Sequence, residues 1–173
     1  MWFSTSSVLL TSGSAVGKTP LNAFDNALRN AGIADFNLIK VSSVIPPSVP
    51  VRRLMRRSIP ISGEGLMVPT IYAELNSDEP GTELAVAVGA GLPPPSQHAA
   101  GVVFVAACRG SEQTARTLVA EMVHEGMEQK GLRRHRVELT SAAAIAKEPC
   151  TSVIACALFC DADIAATVAH AIL

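Results

Sequence analysis

The stretch Asn37-Leu38-Ile39-Lys40-Val41-Ser42-Ser43-Val44-Ile45-Pro46-Pro47 constrains this chain more than any other. Its apolar and β-branched residues predict a strand. Pro46 and Pro47 lack the N–H that a ladder needs, so regular sheet has to stop there. Between strand and stop lie two adjacent hydroxyls, Ser42 and Ser43. Two readings of the pair stand on the residues alone. In one, they bond to nearby backbone at a strand end. In the other, the Ser43 hydroxyl attacks the carbonyl of Ser42, which requires a fold that holds it there and a donor for the oxyanion. Asn37 lies upstream with a side-chain amide able to serve as that donor if the fold brings it close.

A chain of 173 residues is long enough for one domain with a sizeable core. It is 49% hydrophobic with few aromatics, so Ala, Val, Leu and Ile have to fill that core. A net charge of -1 gives no general reason to expect nucleic acid or a membrane surface as a partner. No apolar run reaches transmembrane length, and the N-terminus carries no signal-peptide pattern. A soluble cytoplasmic protein is expected. Cys108, Cys150, Cys156 and Cys160 form no CxxC pair and have no His at a zinc-ligand spacing, so they read as small buried hydrophobes, with no metal and no disulfide.

Residues 3–10 read as a first strand. Gly13-Ser14-Ala15-Val16-Gly17-Lys18-Thr19 looks like a phosphate loop but has three residues between its glycines where that motif needs four. It is read as a Gly-Ser turn leading into a helix. Thr19 caps that helix, Pro20 suits its first position, Leu21, Phe24, Leu28 and Ala31 form its stripe, and Gly32 ends it. Asp25 sits at the edge of the stripe, where a carboxylate is either solvated or, beside a pocket, able to bind a cation. Arg52, Arg53, Arg56 and Arg57 cluster without aromatic partners, which favours a solvated loop or a subunit contact over nucleic acid.

Residues 66–75 read as a strand with Thr70, Tyr72 and Glu74 on one face and Pro69 near an edge or bulge. Strands follow at 82–88, 100–107, 134–139 and 153–160, with 89–97 as a Gly/Pro-rich loop. Ser111 caps a long helix to about Gln129, closed by Gly131, with Ala115, Leu118, Val119, Met122 and Met127 as its stripe. Residues 161–173 read as a short C-terminal helix. Seven strand-like segments with two or three helices predict an α/β sandwich in which helices cover packed sheets.

Three features coincide: Thr19-Pro20-Leu21-Asn22-Ala23-Phe24-Asp25, Ala31-Gly32-Ile33, and Asn37 through Pro47. Together they resemble the pyruvoyl-dependent arginine decarboxylases. The likeness continues through Gly65-Leu66-Met67-Val68-Pro69-Thr70, Ser77-Asp78, Pro80-Gly81-Thr82 and the strand from Gly101. The resemblance implies a single domain over 1–173 with a four-layer αββα sandwich, and 160–173 as a C-terminal extension. It implies a proenzyme that cleaves itself between Ser42 and Ser43 into 1–42 and 43–173. Ser43 would become the pyruvoyl group, with Ser42 as cleavage partner and Asn37 supporting the processing. Asp25 matches the family's aspartate near the substrate guanidinium. The implied reaction converts arginine to agmatine and carbon dioxide through a Schiff base, in a homotrimer of cleaved protomers with a small-molecule amino-acid substrate.

One position departs from the family pattern. The strand that begins with Gly101 carries a proton-donating glutamate in the family, and Val105 stands at the matching place. A valine transfers no proton. Glu74 and Tyr72, on a neighbouring strand, are the candidates to replace it, with Glu74 foremost. The alternatives are a non-catalytic or regulatory paralogue, or a decarboxylase of another basic amino acid.

Overall fold

The computed structural model describes residues 4–54 and 64–169. Along the chain these form β1 (Ser7–Gly17), α1 (Pro20–Asn30), β2 (Asn37–Lys40), β3 (Val44–Ile45), β4 (Val51–Arg53), β5 (Met67–Ser77) and β6 (Glu83–Leu92). They continue as β7 (Gly101–Arg109), α2 (Glu112–Gln129), β8 (Arg136–Ile145), β9 (Cys150–Cys160) and α3 (Ala162–Ala169). One sheet has the order β2-β5-β9-β1-β4 and the other β3-β7-β6-β8. The sheets pack face to face. Val8, Leu10, Val153, Ala155, Ala157 and Phe159 of the first meet Leu84, Val86, Val88 and Val103 of the second. Alternate residues of the first sheet, Leu9, Ile154, Cys156 and Leu158, face outward onto α1 and Ile164 of α3. Ala85, Ala87 and Ala106 of the second sheet face α2. The fold is an αββα sandwich, as the resemblance implied.

The two helix starts follow the sequence. The Thr19 hydroxyl accepts from the Asn22 N–H and Ser111 from the Thr114 N–H, each capping an open helix end. The helix stripes differ from expectation. In α1, Leu21 is 74% exposed and the face against the sheet is Ala23, Ala27 and Leu28. In α2, Leu118 and Met122 are exposed, and Ala115, Val119, Val123 and Met127 are buried.

The largest correction concerns glycine. Strand β1 does not end near residue 10. It runs through Gly13 and Gly17, paired with β9 along its whole length, so the phosphate-loop-like segment is sheet. Both glycines face α1. A Cβ on Gly13 would collide with the Ala27 carbonyl oxygen, and one on Gly17 with the Ala23 nitrogen. The helix lies backbone to backbone on the strand, and only glycine permits that approach. The same physics extends β6 through Gly89 and Gly91, which were expected to lie in a loop. A Cβ on Gly91 would lie 2.7 Å from Met127 Cγ of α2. Strand β8 likewise continues through the Ser-Ala-Ala-Ala run to Ile145, paired with β6.

Cys150, Cys156 and Cys160 are buried free thiols and Cys108 is half-buried. Burial pushes the Cys160 thiol up to about 12, reinforced by the charge of Asp161, and raises Cys156 as well. Arg52 and Arg53 stand exposed on β4, the edge strand of the first sheet, where charge discourages further strand pairing. Arg56 and Arg57 lie outside the described residues. Residues 162–169 of the expected C-terminal extension form α3, and Cys160 is the last residue of β9.

If Gly17 is required by the backbone contact, Gly17→Ala should destabilise the protein by about 1–3 kcal/mol or more, the usual range for overpacking. Urea unfolding of the purified variant measures this, and an unchanged midpoint would refute the contact.

Candidate active site

The site arises where the chain leaves one sheet and enters the other. Strand β2 runs parallel to β5, with Asn37 opposite Met67 and Lys40 opposite Thr70. The Val41 N–H adds one more bond, to the Thr70 carbonyl at 3.2 Å. Two residues on, the Ser43 carbonyl accepts from the Val103 N–H of the second sheet at 3.0 Å. Strand β3 then continues opposite Val102 and Gly101. Ser42 and Ser43 therefore span the gap between the sheets, typically about 10 Å. Ser42 is exposed and Ser43 half-buried. After β3 the prolines stop the strand and the chain turns through Ser48, which adopts φ 65°, uncommon for a residue with a side chain.

Val105 lies two residues beyond Val103 on the same face of β7, about 7 Å along the strand. Its side chain packs into the inter-sheet core with Ala73 and Leu75. Ser43 and Val105 thus share the inner side of the sandwich. Glu138 reaches the inner side as well, but from β8 at the opposite edge, beside Arg53 (3.8 Å) and Arg136 (3.3 Å).

Within one chain, the other sequence-predicted residues stand apart from this pair. Asn37 begins β2, so strand length alone puts it about 13 Å from Val41. Its amide donates to the Gly65 carbonyl at 2.9 Å. Glu74 is exposed on β5 opposite Ile154, whose side chain belongs to the α1-facing layer. The first sheet therefore separates Glu74 from Ser43. Tyr72 faces the same outer layer, its ring 6.3 Å from that of Phe24.

Asp25 is on α1, also outside the first sheet. Its Oδ2 accepts from Arg29 Nη2 at 2.9 Å and Nε at 3.2 Å, an i,i+4 pair that is largely exposed. The sequence spacing carries that signal, and it was missed. A second missed cation is Lys40, whose Nζ lies 4.6 Å from the Tyr72 ring centroid. Both groups suited to receive a guanidinium, the carboxylate and the aromatic face, already hold a cation of their own chain.

The edge of the molecule that carries Ser42 is apolar. Ile39, Val41, Val44, Leu66 and Met67 are all exposed, Val44 by 53% and Met67 by 69%. They flank the crossing segment and the short outer strands β2 and β3. Several large apolar side chains exposed together in this way are the usual mark of an interaction surface.

An αββα sandwich with a serine pair bridging its sheets defines the architecture. The comparisons then fix the family. Residues 7–163 match the family described as Pyruvoyl-dependent arginine decarboxylase (PvlArgDC). The pyruvoyl-dependent arginine decarboxylases of Pyrococcus abyssi and Pyrococcus horikoshii are each 35% identical over 159 residues, covering 91% of this chain and 98% of theirs. That of Methanocaldococcus jannaschii is 36% identical over 150 residues, covering 87% of this chain and 84% of its own. The chain belongs to the pyruvoyl-dependent arginine decarboxylase family. No helix among the described residues is long and apolar enough to cross a membrane.

The exposed Asp25–Arg29 pair should contribute little to the fold. Arg29→Ala is expected to change unfolding stability by less than about 1 kcal/mol. A larger loss in urea titration would show that the pair is structural and that Asp25 is committed to it.

Proposed function

We propose that this chain is a self-processing, pyruvoyl-dependent decarboxylase that converts arginine to agmatine and carbon dioxide. The observation that carries the reading is the position of Ser43. Backbone bonds hold the Val41 end of the crossing in one sheet and the Ser43 carbonyl in the other, so the Ser42–Ser43 peptide has little freedom. Positioning a nucleophile beside its target in this way supplies much of the rate of an intramolecular reaction. Ser43 Oγ attacks the Ser42 carbonyl carbon, and the acyl group moves from nitrogen to oxygen to give an ester. Elimination of that ester releases the Ser42 carboxylate and leaves an unsaturated residue 43. Addition of water and loss of ammonia convert it to the pyruvoyl group.

A pyruvoyl group fits this frame, because residue 43 is a serine, is half-buried, and has its own carbonyl fixed by Val103. When formed, the group supplies the electron sink for loss of carbon dioxide. The chain's part is to hold the substrate. Asp25 is the proposed guanidinium partner and has to exchange Arg29 for it.

Asn37 and Asp25 stand away from Ser43 in one chain, so their proposed roles require a second copy. The apolar rim around Ser42 supports self-association there, which we take to be a homotrimer of cleaved protomers. The same requirement holds for Glu74 as proton donor: it reaches the reacting carbon only from another protomer.

Val105 favours a second reading, a paralogue that processes itself but has lost its acid. Its side chain is packed among apolar groups and offers no proton. A decarboxylase of another basic amino acid differs only in what Asp25 receives.

Two experiments decide among these. Intact-mass measurement of purified protein should give fragments 1–42 and 43–173, and Ser43→Ala should give one uncleaved chain. A wild type that stays whole after long incubation refutes processing. Carbon dioxide release from arginine, ornithine and lysine is then measured for cleaved wild type, Asp25→Asn, Glu74→Gln and Val105→Glu. Asp25→Asn should weaken arginine binding, and Glu74→Gln should abolish turnover if Glu74 is the donor. An inactive wild type rescued by Val105→Glu establishes the paralogue, since a placed acid is worth about 10²–10⁴-fold.

A further inference from the structure

A cavity of about 550 Å³ lies at the end of the sandwich where β6 finishes and β7 and β8 begin. Three consecutive basic residues, Arg134, His135 and Arg136, line it from one side. Pro46, Val49, Leu92 and Pro94 are among the residues that give it apolar walls, and no carboxylate lines it among the described residues. Arg134 makes no hydrogen bond or ion pair among the described residues. Among the described residues Arg136 has only Glu138, at 3.3 Å, and it remains largely exposed. His135 is fixed in place: its Nδ1 lies 2.9 Å from the Leu132 carbonyl and its Nε2 lies 2.7 Å from His124 Nδ1. The remaining polar lining is Ser48 and Gln97. Ser48 is the residue with φ 65°, and its hydroxyl lies 3.3 Å from His98 Nδ1. Strained backbone of this kind concentrates at ligand clamps.

We propose that this cavity is an anion site, taking a small molecule with two or more negative groups, a dicarboxylate or a phosphate ester, on a short apolar body. Paired guanidinium groups, one without a partner among the described residues and the other sharing Glu138 with Arg53, select carboxylate or phosphate oxygens. The same composition excludes a guanidinium or amine, so the cavity is not a second site for a basic amino acid. The apolar walls accommodate carbon, not a further charge. The cavity also abuts Pro46, three residues beyond Ser43 on the chain. A bound anion would tie the turn at residues 46–50 to the start of β8 and stiffen the strand that begins beside Ser43. The anion site itself does not depend on cleavage or decarboxylation.

Calorimetric titration of the full chain with succinate and with inorganic phosphate tests the proposal, at ionic strength held constant with sodium chloride. Saturable binding of at least one is expected. Arg134→Gln should weaken it about tenfold, and Arg134→Gln with Arg136→Gln should abolish it, as loss of charge-assisted bonds predicts. Both side chains are exposed, so thermal unfolding of the variants should stay close to wild type. Absence of saturable binding by either anion, or binding undiminished in the double variant, overturns the proposal. Loss of binding that accompanies a large fall in melting temperature also counts against it, because the arginines would then be structural.

Discussion

Everything at the candidate site depends on one crossing. The chain leaves the first sheet after a single bond beyond β2, from Val41 to Thr70, and is taken up by the second through the Ser43 carbonyl and Val103. A chain that changes sheets pays for it with residues that belong to neither ladder, and here those residues are serines. Strands β2 and β3 are short because each ends at the crossing, with Asn37–Lys40 on one side and Val44–Ile45 on the other. Because β3 covers only the first part of β7, the edge of β7 beyond Val103 has no strand beside it among the described residues. Ile39, Val41, Val44, Leu66 and Met67 are exposed on or next to the strands that the crossing joins and their neighbour β5. A single topological event therefore places the serine pair between the two sheets and leaves exposed apolar residues on the strands that flank it.

The crossing segment was legible because its signals are local: β-branched residues, two serines and two prolines fix a strand, an interruption and a stop. The caps at Thr19 and Ser111 were legible for the same reason. Gly13, Gly17, Gly89 and Gly91 were misread because local preference puts glycine in turns, whereas here the nearest constraint is a helix packed from another layer. The stripes of α1 and α2 rotated for a related reason. A helix seated on glycine and alanine makes its closest contacts through small residues, so Ala23 and Ala27 are buried while Leu21 is not. At the site, the residues were identifiable but their grouping was not. Alternation predicts which residues of β5 share a face, yet not that the face of Glu74 looks away from Ser43.

The electrostatics of the outer layer carry a consequence for ligand entry. Asp25 holds Arg29, and Tyr72 lies under Lys40, so each of these two groups already has a cation beside it. Both pairs are of the exposed kind, which contribute little to stability and exchange readily. A guanidinium ligand binding there would gain the carboxylate by displacing the Arg29 side chain rather than by dehydrating a bare charge. If Asp25 receives a ligand guanidinium as proposed, binding there would exchange one arginine-like group for another, and discrimination against lysine-like ligands would rest on the planar two-bond geometry that an ammonium cannot reproduce.

The layout also bears on when a reaction at Ser42–Ser43 can occur and what it does to the fold. Before the sheets are packed, nothing holds the Ser43 hydroxyl near the preceding carbonyl, because the anchors at Thr70 and Val103 lie in different sheets. Such a reaction has to follow folding. Once the sheets are packed, both sides of the peptide are independently secured. Residues before it include β1, paired with β9 over all eleven of its residues, and α1, seated on β1. Residues after it include the whole second sheet and most of the first. Breaking the peptide between them removes no ladder hydrogen bond and opens no core contact. The bond that the two sheets hold in position is thus also a bond that the fold does not need.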